Sequence, residues 1–286
     1  MTAEQLILML LQVILFTSVL TLGFKSTLSE PFFLFRHPRL FIRTFIAIYI
    51  VAPVLTAVIL VLVPLPVDVK TGVILLAISP VATTLPHNML ILRANPPYVY
   101  SILISMSLIA VVMIPISLAI LTALPLTHDA SVPPFEVVKL IAQTVLLPLI
   151  IGAIIRRLAP RWTERLSQPI NAISGKALIA ALLALLALNL GGIAEAGLLS
   201  FIVLLFLTVS ALAAGHFLGG SAVGDRAALA MAAAQRQTAI ATLIAAINFP
   251  SPVTIDVIVI YLIINILTIR LYTKWCKKQL VAQTET

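Results

Sequence analysis

The chain has 286 residues, of which 61% are hydrophobic and only 10% are charged. Soluble domains carry about 25% charged residues, so this composition excludes an ordinary soluble protein and predicts a protein that crosses a membrane several times. The net charge of +8 does not indicate nucleic-acid binding, because most of the cations stand at the ends of apolar runs. The single cysteine, Cys276, allows no intramolecular disulfide and no metal-ligand spacing, so we expect neither a metal nor another cofactor.

The apolar segments predict an all-α membrane protein with nine transmembrane helices. A helix needs about 20 residues to cross the hydrocarbon layer. The segments are Glu4 to Phe24, Leu40 to Val63, Val69 to Arg93, Pro97 to Leu124, Pro134 to Arg156, Leu166 to Leu190, Gly197 to Gly219, Gly224 to Asn248 and Val253 to Tyr272. The connections are short, so residues 1–286 are predicted to form one transmembrane domain in contact with the lipid bilayer.

The distribution of lysine and arginine predicts the orientation. With nine crossings, fourteen of these residues fall on one face, and only Lys70 and Lys139 fall on the other. Cytoplasmic loops carry the excess of positive charge. We therefore expect the N-terminus outside, the C-terminus in the cytoplasm, and a location in the cytoplasmic (inner) membrane.

The eighth segment contains Arg236 in the middle of an apolar run. An isolated charged side chain at the centre of a bilayer costs at least about 2.5 to 3.5 kcal/mol, so a partner must satisfy it. Gln235, Gln237 and Thr238 surround it with polar groups, which predicts a discontinuous helix that lines a site near the midplane. An arginine that only donates to carbonyls of neighbouring helices is the alternative.

The third segment is interrupted by Pro80 and Pro86. Pro80 lies twelve residues after Asp68, and Arg236 lies eleven residues after Asp225, so both breaks follow an aspartate that could cap its helix. The predicted topology gives the two segments opposite directions. Paired interruptions of this kind indicate a transporter site between inverted repeats, whereas a proline kink inside a packed helix is the alternative.

The order of these segments resembles the bile acid:sodium symporter family. The match begins at Gly23 in TLGF, continues through RHPRLFIRTFIAIYIVAP with Pro38 and Pro53, then GVILLAISP, and ends with NFP after the second break. The resemblance implies an inverted repeat with two crossing broken helices, in a nine-helix member that lacks the first family helix. It also implies a panel domain (helices 4–24, 134–156 and 166–190) and a core domain (helices 40–63, 69–93, 97–124, 197–219, 224–248 and 253–272).

The family's sodium ligands are absent from the matching positions. Ala232 stands for a glutamate, Arg236 for a glutamine, Pro86 for an asparagine and Ile48 for a second glutamine. We also expect no acidic residue deep in any span, and a cation needs carbonyl or carboxylate oxygens to lose its water. Sodium coupling through these sites is therefore not expected, and Arg236 is predicted to supply a fixed positive charge.

The predicted site favours a small organic anion. Arginine and the orphan N–H groups of half-helices both attract carboxylates, and proton coupling through His87 is a further possibility. Lys176 could face the substrate path or extend to the interface, and Asn265 could approach the core site. The candidate substrate-binding residues are Arg236, Gln235, Gln237, Thr238, Thr83, Thr84, His87, Asn88, Lys176 and Asn265.

Three classes of function are compared. A secondary active transporter of a small organic anion that works by alternating access is the leading interpretation. The alternative is a non-transporting membrane sensor or scaffold that keeps the transporter fold. An intramembrane enzyme is not expected, because no paired carboxylates, Ser-His pair or metal cluster stands out in the spans. The sequence gives no oligomeric state.

Overall fold

The computed structural model describes residues 3–25, 30–83, 85–122, 134–188, 191–249 and 251–284, and these residues are almost entirely helical. Seven helices in the described ranges are long and apolar enough to cross a membrane. This finding confirms a multi-pass, all-helical membrane protein. The third and eighth predicted segments are not among the seven, because each is divided into two short helices.

We number twelve helices in chain order, counting a helix with an internal π-helical turn once. They are α1 (Ala3–Lys25), α2 (Glu30–Arg36), α3 (Pro38–Leu62), α4 (Val67–Ile78), α5 (Leu85–Ile91), α6 (Pro96–Thr122), α7 (134–158), α8 (Pro160–Leu188), α9 (Gly191–Leu218), α10 (Val223–Ala234), α11 (Thr238–Asn248) and α12 (Pro252–Thr284). Helix α2 lies in a stretch for which the sequence predicted only a connection. Helix α9 changes direction at Gly197, whose φ of 71° favours glycine.

The first interrupted segment consists of α4 and α5, and the second consists of α10 and α11. The prediction that Asp68 and Asp225 cap these segments is wrong. The residues that precede α4 and α10 are Pro66 and Ala222, and neither gives a side-chain cap. Both aspartates lie inside the first turn, where a carboxylate still interacts favourably with the helix dipole.

The sequence predicted that Pro86 interrupts the first segment. This prediction is wrong, because Pro86 is the second residue of α5. Proline is well tolerated in the first turn, where its missing N–H has no helical partner to lose. Pro80 alone lies in the interruption between α4 and α5.

Two long helices contain a π-helical turn just before a proline. The turn over Ile46–Val51 precedes Pro53 in α3, and the turn over Ala142–Leu146 precedes Pro148 in α7. In a π-helix each carbonyl accepts from the N–H five residues later. Pro53 has no N–H to give to the carbonyl of Ile48, so that carbonyl is available to another donor.

Close packing fixes two regions of the bundle. Helix α1 packs along α7 and α8, and a Cβ on Gly152 would lie 2.4 Å from the carbonyl oxygen of Leu20 and 2.9 Å from Cα of Gly23. The start of α10 packs on the end of α5, where a Cβ on Gly224 would lie 2.7 Å from the main chain of Arg93 and Ala94. The two broken segments are therefore joined at this end.

Candidate functional site

The two interruptions meet in the middle of the bundle. Ala82 donates its N–H to the carbonyl of Gln235 at 3.1 Å, and Gln237 donates to the carbonyl of Pro80 at 2.8 Å. These bonds form an antiparallel bridge between Val81 and Arg236. Irregular backbone at membrane depth is tolerated only where its polar groups are satisfied by protein or by water. Here the main-chain polar groups of each interruption form hydrogen bonds with those of the other. We call this pair of segments, residues 79–83 and 235–238, the crossing.

The guanidinium of Arg236 lies behind the crossing and is only 6% exposed. Nη1 donates to the carbonyl of Ser79 at 3.2 Å, and Nη2 donates to the carbonyl of Ile48 at 2.9 Å. Ser79 follows the last residue of α4, where the helix dipole favours a cation. The hydrogen bonds of Arg236 are therefore those of the alternative interpretation, in which it donates to carbonyls of neighbouring helices.

Those carbonyls solvate Arg236 without neutralising it. Arg236 has no ion-pair partner among the described residues, and the ionisable side chains near it include the phenols of Tyr49 and Tyr261. Neither phenol carries a negative charge at neutral pH. The guanidinium therefore projects an uncompensated positive potential into its surroundings.

Two side chains of α12 support the main chain of the second interruption. The Tyr261 hydroxyl accepts the N–H of Arg236 at 3.0 Å and donates to the carbonyl of Ala234. Asn265 Nδ2 donates to the same carbonyl at 2.9 Å and to the Tyr261 hydroxyl at 3.2 Å. This network holds the end of α10 in place.

The second interruption also includes the start of a helix. Helix α11 begins at Thr238, and Gln237 before it gives no side-chain cap. The N–H groups of Ile240 and Ala241 both donate to the carbonyl of Gln237. The N–H groups that precede these two in a helix have no partner within it. The start of α11 is therefore a region of positive potential at the crossing.

A cavity of about 830 Å³ extends from the crossing to one end of the bundle. Small-molecule sites in proteins are typically about 300 to 1,000 Å³. One wall is formed by α8 with a polar stripe, and the opposite wall combines the crossing with apolar residues of α5 and α12. The polar residues of the α8 stripe are Glu164, Ser167, Gln168, Asn171 and Lys176.

The charges along this cavity are predominantly positive. Arg236 lies at the deep end, Lys176 lies on the α8 wall, and Lys25 and Arg156 line the cavity with Glu164. The Glu164 carboxylate lies 3.3 Å from the Arg156 guanidinium. A charged lining of one sign between low-dielectric walls raises the local concentration of the opposite ion. The cavity is therefore suited to an anion.

Arg236 and Tyr261 also border a second cavity of about 40 Å³, which is lined mainly by apolar residues of α3, α4, α9 and α10. They separate this small cavity from the large one. The space behind the arginine is large enough for a few water molecules at most.

The structure brings most of the predicted site residues together. Gln235, Arg236, Gln237, Thr238, Lys176 and Asn265 all line the large cavity. Thr83 is buried at the crossing. Thr84 lies outside the described residues, and His87 and Asn88 lie in α5 with side chains that the structure does not describe.

Sequence reasoning missed several residues of the site. Tyr261 has a recognisable signal, because it precedes Asn265 by one helical turn in an apolar helix. Asn171 was not among the candidate residues, but it lies within α8 and lines the cavity. Sequence reasoning also missed Asp256, which lies near the start of α12 and is completely buried.

Comparison with known families agrees with this architecture. The model of the sodium bile acid symporter family matches residues 9–196, which is more than half of the chain and includes the first interruption. The match ends before α10, so Arg236 lies outside it. A search of curated proteins found no match. The chain is therefore a member of the sodium bile acid symporter family, whose members are membrane transporters.

Proposed function

We propose that the protein is a secondary active transporter of a small organic anion that works by alternating access. The observation that carries this proposal is the large cavity, which has an uncompensated guanidinium and the start of α11 at its deep end. The ligand's anionic group would bind the first N–H groups of α11 and the Thr238 hydroxyl. Its apolar part would contact Leu90, Ile179 and Leu262 along the walls.

In this proposal Arg236 attracts the anionic substrate through its positive charge and its position. It does not bind the substrate directly through its two Nη atoms. Its Nη atoms are occupied by the carbonyls of Ser79 and Ile48. A fixed charge in a low-dielectric site attracts an anion over several ångströms. Arg236 would also take the place of a mobile cation, so that the crossing is complete without sodium.

Sodium coupling through the usual family positions is therefore not part of the proposal. Ala232, at the position that resembles a glutamate ligand, is completely buried and offers no side-chain oxygen. Proton coupling is compatible with the proposal.

The arrangement proposed for transport has nine crossings in two inverted repeats. Helices α4 and α10 approach the crossing from opposite ends of the bundle, since the start of α4 packs on the start of α12 and the start of α10 packs on the end of α5. This opposite approach supports the inverted relation. The N-terminus would lie outside the cytoplasmic (inner) membrane and the C-terminus inside, with the large cavity open to the cytoplasm.

The panel would consist of α1, α7 and α8, and the core would consist of the remaining helices. The large cavity lies between these groups, because its lining comes from α1, α7 and α8 on one side and from the crossing and α12 on the other. Relative motion of the two groups would move the crossing between the two sides of the membrane.

Counterflow in proteoliposomes tests this proposal. The purified protein is first screened by thermal shift against organic anions, with sodium and pH varied independently. Vesicles loaded with a stabilising anion should then accumulate the labelled anion in a sodium-independent manner. Binding without counterflow would instead support a sensor or scaffold, and counterflow that requires sodium would contradict the proposed coupling.

A further inference from the structure

Asp256 is the most unusual buried side chain outside the proposed binding site. It lies near the start of α12 and is 0% exposed. Neither carboxyl oxygen has a hydrogen-bond partner among the described residues. Burial of an ionised carboxylate without a donor is so costly that the group takes up a proton instead. Burial without a donor therefore favours the neutral, protonated form of the carboxyl in this conformation.

The described residues of the helices packed against α12 provide no hydrogen-bond partner for the carboxyl. These helices are α4, α8, α9, α10 and α11. Their titratable and charged residues are Asp68 and Lys70 in α4, Arg161, Glu164, Arg165 and Lys176 in α8, Glu195 and His216 in α9, and Asp225 and Arg226 in α10, while α11 has none. None of these residues forms a hydrogen bond with Asp256.

Asp256 lies at the end of the bundle opposite to the large cavity. The Thr254 hydroxyl donates to the carbonyl of Asp68 at 3.0 Å, which places the start of α12 beside the start of α4. The cavity extends from the crossing in the other direction, along α5 and toward Lys25. In the proposed topology the carboxyl therefore faces the outer half of the protein.

The position of Asp256 links it to both broken segments. Helix α12 packs on α4 and α11, which are the outer halves of these segments, and α4 and α11 also pack on each other. A movement of these helices that admits water to the start of α12 would hydrate the carboxyl. A hydrated carboxyl ionises near pH 4, so it would release its proton at neutral pH.

We propose that Asp256 is a proton-binding site that controls closure of the outer side of the transporter. The proton binds from the outer solution when the helices around the start of α12 close over the carboxyl, and it returns to the same solution when they open. No proton crosses the membrane in this step. This inference rests on the proposed alternating-access function, and it differs from proton coupling through His87.

The test measures how open the cytoplasmic cavity is as the pH of the outer side changes. Asn171 lines the cavity and is replaced by cysteine, while the native Cys276 is buried and gives a low background. Inside-out vesicles are prepared with internal pH 6 or 8.5, and a membrane-impermeant maleimide is added to the bath at constant pH 7. The thiol therefore reacts at one pH throughout.

We expect the labelling rate of Asn171→Cys to fall at least threefold when the vesicle interior changes from pH 6 to pH 8.5. Adding Asp256→Asn, which resembles the protonated acid, should keep the rate high at both values. Asp68→Asn is the matched control at the same end of the bundle and should keep the pH response. If Asp256→Asn does not insert, Asp256→Ser replaces it.

A labelling rate that is independent of internal pH would overturn the inference, and so would an equal pH response in the Asp256→Asn protein. Counterflow of the stabilising anion is measured in parallel on the parent protein, which keeps Asn171 and Asp256. If counterflow persists while the pH response is absent, only the role of Asp256 fails. If no anion is transported, the proposed function fails as well.

Discussion

Arg236 donates to the carbonyl of Ile48 at 2.9 Å, across a separation of 188 residues in the chain. That carbonyl is available because its π-helical donor would be the N–H of the residue five positions later, and that residue is Pro53, which has no N–H. Helix α3 therefore leaves the carbonyl of Ile48 without a helical donor, and Arg236 of the second broken segment donates to this carbonyl. The bond ties α3 to the crossing and holds the guanidinium beside the cavity.

Replacement of Arg236 by alanine should reduce anion transport more than tenfold. The substitution removes the positive potential and leaves two buried carbonyls without a donor, at a cost of about 1 to 3 kcal/mol each. We also expect a lower unfolding temperature in detergent. Arg236→Lys should recover little transport, because a single ammonium nitrogen cannot reproduce the separation of Nη1 and Nη2.

Arg161→Ala is the matched control, since Arg161 is exposed at the start of α8 and does not line the cavity. Transport is measured as counterflow per inserted protein, and insertion is measured by fluorescence-detected size exclusion. A normal counterflow rate in the Arg236→Ala protein would contradict the role assigned to this residue.

Tyr261→Phe tests the network that supports the end of α10. The change leaves the N–H of Arg236 without its acceptor, whereas the carbonyl of Ala234 still accepts from Asn265. One unsatisfied buried donor costs about 1 to 3 kcal/mol, so thermal unfolding should occur at a lower temperature. Tyr272→Phe, which removes a hydroxyl near the far end of the same helix, serves as the comparison for a tyrosine outside the crossing.

An unchanged unfolding temperature for Tyr261→Phe would indicate that another acceptor or a water molecule binds the N–H of Arg236 in place of the hydroxyl. Asn265→Ala can then be added. If the double variant is also as stable as the parent, the network does not hold the end of α10.

The general architecture could be predicted because its signals are local. Apolar length identifies the spans, Pro80 marks the first interruption, and the cost of a lone charge near the midplane requires a partner for Arg236. The identity of that partner could not be predicted. Main-chain carbonyls carry no sequence signature, and Ile48 and Ser79 are brought to the arginine only by the packing of α3 and α4.

Other features depend on neighbours that the sequence does not reveal. Asp256 stands only four residues after the start of α12, so its position suggests a solvated first turn, but packing buries it completely. Asn171 lies well inside α8 because this helix begins at Pro160, earlier than the apolar run that starts at Leu166. The first turns of α8 are polar, so apolar length does not identify them as part of the helix that forms this wall of the cavity.

Lys176→Gln should weaken anion binding without changing the fold. Lys176 lines the cavity on α8, opposite the crossing, and its side chain is exposed. Loss of one charge in a partly hydrated site costs roughly 1 kcal/mol, so we expect KM to rise about fivefold with little change in the maximum rate. The variant is compared with Lys274→Gln, whose lysine does not line the cavity. Equal KM values in the two variants would exclude a role for Lys176 in attracting the substrate.

Gly152→Ala should destabilise the contact between α1 and α7. A Cβ at this position would lie 2.4 Å from the carbonyl oxygen of Leu20, which belongs to the main chain and cannot rotate away. Overpacking of this kind typically costs about 1 to 3 kcal/mol, because the two helices must separate. Ile154→Ala on the same helix is the control, since Ile154 is 52% exposed and its truncation should shift the unfolding temperature little. The unfolding temperatures of both variants are measured in the same detergent. Equal values would show that α1 and α7 can separate without cost. If α1, α7 and α8 form the panel, Gly152→Ala should also slow counterflow, since a loosened panel no longer moves as one body against the crossing.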